Sequence, residues 1–150
     1  DEDGSSRSNY AEAAKVLTVV KELLAPGDLT TKDIGVITPY NGQVRVLSDL
    51  FQEAGGRDRG EPFYGLEIKS VDGYQGREKE VIVFSAVRAN DHGEVGFLSD
   101  RRRLNVALTR ARRGLIVVGH PNTLQHDSTW KSWLEWVDER NLFAWHLSQV

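Results

Sequence analysis

Two short stretches of this chain, Val81-Ile82-Val83-Phe84 and Leu115-Ile116-Val117-Val118, are apolar at every position. A strand with one face in water alternates apolar and polar side chains, whereas an unbroken apolar strand is covered on both faces. Such runs belong to a parallel sheet layered between helices. The remaining pattern agrees. Residues 9–24 carry Ala13, Val16, Leu17, Val20 and Leu24 at helical spacing, and Pro26-Gly27 ends that helix. Ile34 to Thr38 reads as a strand. Pro39 suits the first turn of the next helix, with Thr38 as its cap. That helix runs to about Ala54, with Val44, Leu47 and Phe51 inward. Residues 55–62, GGRDRGEP, read as a polar, mobile loop. Strand signals return at 66–71, 81–87 and 114–119, with an arginine-rich helix before the last of them. A final helix spans about 128–140 behind Asp127 or Ser128, with Trp130, Trp133, Leu134 and Val137 on its apolar stripe and Trp136 off it. The predicted order is α-β-α-β-β-α-β-α, a three-layer α/β domain with a mostly parallel sheet. Ligands in such sheets sit beyond the carboxyl ends of the strands. The loops after Ile37, after Val71 and around the arginine helix are therefore the expected site.

A chain of 150 residues suits a single domain. Its net charge of −3 excludes indiscriminate polyanion binding by bulk charge. Local potential is another matter, because Arg101, Arg102, Arg103, Arg110, Arg112 and Arg113 crowd one segment. The absence of cysteine excludes disulfides and thiolate metal sites and fits a reducing compartment, cytoplasmic or nuclear. His92, His120, His126 and His146 have no metal-ligand spacing, so no metal site is expected. No apolar run reaches membrane-spanning length, and no membrane contact is expected. The start at Asp1, followed by a polar lead, suggests a segment of a longer protein, with 1–8 as a flexible lead and 141–150 as a tail.

Three blocks carry the chemistry. In RRRLNVALTRARRGLIVVG (101–119), helical spacing sets Arg103, Ala107 and Arg110 on one stripe beside Leu104, Leu108 and Ala111. The two cations stand roughly 10 Å apart along the helix, with a small residue between them. That face suits a polyanion, and equally a solvated, salt-bridged surface. The other arginines point elsewhere on the wheel. In SVDGYQGREKEVIVFSAVRAN (70–90), Gly73 and Gly76 flank Tyr74-Gln75, where a backbone can turn sharply and approach a ligand. The alternative is a plain helix-entry turn with Glu78 and Lys79 exposed. In ITPYNGQV (37–44), Tyr40 can either stack on a base or pack in the core, with Gln43 behind it. No glycine pair is followed by Lys-Ser or Lys-Thr, and no strand ends in adjacent acids, so the chain has no phosphate-cradling loop of its own.

Together the three blocks resemble the second motor domain of superfamily 1 helicases, of the up-frameshift, nonsense-mediated-decay type with senataxin as a cousin. SRSNYAEA (6–13) resembles the helix start that opens that domain. The resemblance runs from about Ser6 to the final helix. It implies a RecA-like fold, related to P-loop NTPases, forming half of an ATP-driven motor that moves 5′ to 3′ on single-stranded RNA or DNA. ATP and Mg²⁺ would lie between this domain and an N-terminal RecA-like partner domain, which supplies the phosphate loop and the metal-binding acid. Arg110 would be the arginine finger, since a planar guanidinium can grip two oxygens of a transferring phosphoryl group. Arg103 would assist at the nucleotide. Glu78 would hold the ribose hydroxyls, because a carboxylate accepts from a diol and repels phosphates. Gln75 and Gly76 would form the coupling turn. Ser70, Asp72, Thr38, Pro39 and Tyr40 would line the nucleic-acid track. A competing reading is a non-catalytic binding module of the same fold. A third, a nucleotide-regulated interaction domain, is disfavoured by the missing phosphate loop.

Overall fold

The computed structural model describes residues 8–74, 78–87 and 111–119, Asp72 in its backbone alone. Helix α1 spans Tyr10–Leu24. Asn9 caps it, its side-chain oxygen accepting the Glu12 amide at 3.0 Å, one of the donors that a helix start leaves without an internal partner. Its inward stripe is Glu12, Ala13, Val16, Val19 and Val20, while Leu17 and Leu24 sit at the margin, partly buried. Strand β1, Ile34–Thr38, is buried throughout. Helix α2 spans Asn41–Ala54, two residues later than Pro39 suggests. Its N-cap is Tyr40, in extended backbone and with no capping bond from its side chain. The Tyr40 carbonyl takes the first helical bonds, from the amides of Gln43 and Val44. The Thr38 cap expected from the sequence is therefore corrected.

Strands β2 (Glu67–Ser70), β3 (Lys79–Ser85) and β4 (Ala111–Val118) complete a sheet of order β2-β1-β3-β4, with every pair parallel. β4 starts three residues before the predicted boundary at 114. Ala111, Arg112 and Arg113, read from the sequence as helix, are strand residues. Ala111 pairs with Lys79 and Gly114 with Val81, so two residues of β4 oppose Glu80 in a bulge. Arg113 meets Glu80 at 3.2 Å and Arg112 meets Glu78 at 3.9 Å. Cross-strand pairing overrides the helical propensity of the Arg-Ala run. Leu115, Ile116 and Val117 are half-buried and Val118 is buried, as befits the outermost described strand on that side.

Both helices cover one face of the sheet. Ala13, Val16, Val20, Leu47 and Phe51 pack with Ile34, Val36, Ile68, Val83 and Val118. On the opposite face the ring of Tyr74, carried by a 3-10 turn at Asp72–Tyr74, lies over Gly35. A Cβ on Gly35 would stand 2.0 Å from the tyrosine oxygen. The architecture is the parallel α/β sheet expected from the apolar runs, and it agrees with the RecA-like fold that the resemblance implies. The loop after α2 is tied down rather than loose. Arg57 Nη2 donates to the Leu66 carbonyl at 2.8 Å, the Asp58 amide to Glu61 Oε1 at 2.8 Å, and Phe63 packs edge-on against Phe51. Among the described residues no helix is long and apolar enough to cross a membrane.

Candidate functional site

Parallel pairing gives the sheet two chemically distinct edges. At the carboxyl edge, Thr38 and Ser70 are register partners at the ends of β1 and β2, and the Val71 amide donates to the Thr38 carbonyl at 3.0 Å. Ser70 is half-buried, and its Oγ accepts the Gly73 amide at 3.2 Å while keeping its own hydrogen to donate. Thr38, Pro39 and Tyr40 are buried, Tyr40 to 1% exposure. Direct contact with a nucleic acid requires surface, and these three side chains present none. The reason is their position. β1 lies between β2 and β3, and its exit turns at once into α2, which folds back over the sheet. Tyr40 is therefore a core residue rather than a stacking platform.

The amino edge of β3 carries one further described candidate, Glu78. Glu78 precedes Lys79, Arg110 precedes Ala111, and Lys79 and Ala111 are register partners. Glu78 is 52% exposed, and its ion pair with the exposed Arg112 is long. A surface pair of that kind contributes about 0–1 kcal/mol and leaves the carboxylate able to accept from a diol. Inside it, Lys79 bridges Glu67 at 3.0 Å and the Lys32 carbonyl at 2.9 Å, fixing the start of β3 to β2 and to the turn before β1. Next to that turn, hydrogen bonds from the Thr30 amide and hydroxyl hold the Asp33 carboxyl below its ordinary range. The expectation of a single site at the carboxyl ends is thus corrected. The candidates divide between opposite edges, because Ser70 closes β2 while Glu78 leads into β3. Gln75, Gly76, Arg103 and Arg110, with the four histidines and the helix of Trp130, lie outside the described residues, as does the Asp72 side chain. Among the described residues no three His, Cys, Asp or Glu side chains come together to hold a metal.

A buried polar ring, unanticipated from the sequence except for Gln43, occupies the carboxyl edge between α1, α2 and the end of β3. Gln43 Nε2 donates to Ser85 Oγ and to the Asn9 carbonyl, both at 3.1 Å, while Gln43 Oε1 accepts the Asn9 amide at 2.8 Å. Ser85 Oγ donates in turn to Glu12 Oε2, which also accepts the Val87 amide at 2.7 Å. Glu12 is 2% exposed. Burial pushes its carboxyl up to about 7, against the opposing pull of the Ser85 and Val87 bonds. Val87 itself has a φ of 74°, a left-handed conformation costly for a β-branched residue.

Comparison with known proteins identifies the family. Residues 1–122 match the family described as AAA domain. The chain is 46% identical over 135 residues to the DNA polymerase alpha-associated DNA helicase A of Schizosaccharomyces pombe, covering 89% of this chain and 19% of that protein. It is 42% identical over 141 residues to regulator of nonsense transcripts 1 of Dictyostelium discoideum, covering 94% of this chain and 10% of that protein. To the ATP-dependent helicase NAM7 of Saccharomyces cerevisiae it is 41% identical over 128 residues, covering 85% of this chain and 13% of that protein. The chain thus spans less than a fifth of the length of these relatives. With its parallel sheet, its three sequence blocks and these relatives, the chain belongs to the AAA domain family, among the superfamily 1 helicases of the up-frameshift type.

Proposed function

We propose that this chain is the second RecA-like motor lobe of an ATP-dependent helicase acting on single-stranded RNA or DNA. An N-terminal RecA-like domain would supply the phosphate loop and the Mg²⁺ ligands. The observation that carries the reading is the pairing of Lys79 with Ala111. It supports the reading because Glu78 and Arg110 immediately precede these two partners in sequence, and a nucleotide held by the partner domain would meet both. Glu78 accepts hydrogen bonds from the ribose hydroxyls, and Arg110 and Arg103 face the phosphates. Arg110 stabilises charge on the transferring phosphoryl group, worth about 10³–10⁵ in rate. Ser70 and Asp72 contact the strand backbone at the opposite edge, a hydroxyl with backbone amides being an ordinary phosphate grip. The segment from Ser70 to Glu78 joins the two edges, and Gln75 and Gly76 within it couple them.

The test is a split in kinetic constants. In the full-length protein, Glu78→Gln should raise the KM for ATP by about tenfold and leave kcat nearly unchanged, since the ribose contact is made equally in ground and transition states. The penalty should shrink for a nucleotide lacking ribose hydroxyls. An unchanged KM in that variant removes Glu78 from the nucleotide site.

A further inference from the structure

The buried ring has no part in either edge's contacts, yet it holds together the elements from which the strand edge is built. We propose that Gln43, Ser85 and Glu12 are positioning residues that set the strand-contacting carboxyl edge by locking the first turn of α2 to the end of β3. The inference rests on the reading of that edge as the strand-binding side. Its geometry is continuous. Gln43 sits in the first turn of α2, whose amide bonds to the Tyr40 carbonyl. Tyr40 follows Thr38 and Pro39, and Thr38 is held to Ser70 and Val71 by register and by the 3.0 Å bond. On the other side, Gln43 reaches Ser85, and Ser85 reaches Glu12. Glu12 then holds the Val87 amide, while Asn9 Nδ2 donates to the Val87 carbonyl at 3.4 Å.

Three features separate this ring from ordinary core packing. Every donor is assigned a direction, so loss of one member leaves another buried and unpaired. The left-handed Val87 persists only where its surroundings over-determine it. Among the described residues no cation meets the carboxylate, whose hydrogen-bond partners are Ser85 and the Val87 amide. Ser85 at the end of β3 and the Val87 amide just beyond it meet the carboxylate, Asn9 accepts the Glu12 backbone amide and Gln43 from α2 reaches it only through Ser85, and none of these described groups is titratable. The charged form of Glu12 is strengthened by its two hydrogen bonds but penalised more by lost hydration, so on ionisation the strain falls on the elements that enclose it, and the edge responds to pH near neutrality.

The experiment uses the full-length protein and fluorescein-labelled oligouridylate and oligothymidylate as probes. Gln43→Ala should raise the strand concentration for half-maximal ATP turnover by about tenfold with kcat retained, the signature of a displaced contact. Glu12→Gln keeps the acceptor for Ser85 and Val87 and should bind like the wild type at pH 6. Wild-type affinity should weaken as pH rises through about 7, and Glu12→Gln should lack that step. An identical pH profile in the two proteins overturns the inference even if Gln43→Ala does not fold. Normal strand affinity in a folded Gln43→Ala overturns it as well. Ser70→Ala separates the two ideas: if it weakens binding while the ring variants do not, the ring is structural, and if it changes nothing, the strand-edge reading itself fails.

Discussion

A carboxylate enclosed by α1, α2 and the end of β3 gives up its water, and for Glu12 two hydrogen bonds do not restore what hydration supplied. The folded state therefore holds the proton more tightly than the unfolded chain, about 7 against an ordinary 4.5. The sign follows directly. Stability from this residue is full below about 4.5, falls as pH rises to about 7, and is flat above, because only in that window does the folded state bind more protons. The loss is about 3 kcal/mol at 1.36 kcal/mol per unit. Denaturant unfolding at a series of pH values should show this decline in the wild type and its absence in Glu12→Gln, the difference cancelling carboxylates such as Asp33 that act oppositely. Equal slopes would mean that Glu12 is hydrated. The residue was legible in principle, since position 12 falls four before Val16 on the inward stripe. Its burial is not evident from sequence, because an acid in the first turn of a helix usually serves the macrodipole in water. Tyr40 shows the converse difficulty: composition offered stacking and packing alike, and only the placement of β1 inside the sheet decides for packing.

At the scale of elements, β1 and β3 were readable because apolar runs without alternation have few other homes. The start of β4 was not. Ala111-Arg112-Arg113 continues a helical pattern locally, and its strand state depends on Lys79, Glu78 and Glu80, which lie some thirty residues away in sequence. The division of Ser70 and Glu78 between two edges is already contained in the parallel sheet, since one residue closes a strand and the other leads into the next. The contact of β1 with the turn after β2 gives a sharper test. Gly35 lies under Tyr74, and a methyl group there would meet the tyrosine hydroxyl and ring and the Ile82 side chain. Gly35→Ala should destabilise by about 1–3 kcal/mol through overpacking. Gly35→Ala combined with Tyr74→Leu should lose less than the sum of the two single changes, as contacting sites do. Strict additivity in thermal unfolding would show that the ring does not occupy that space.

For the whole molecule, the proposed function puts chemistry at one edge of the sheet and the strand at the other, with residues 70–79 joining them in sequence. On the proposed reading, a chain with no phosphate loop contributes to hydrolysis across a gap, and closure of two lobes would gate the reaction. The most direct measurement is ATP turnover by full-length Arg110→Ala at saturating nucleotide and single strand. The account predicts a fall of about 10³-fold or more, with strand affinity within about threefold of the wild type. Turnover within about tenfold of the wild type would contradict it, because a finger contributing so little is no finger.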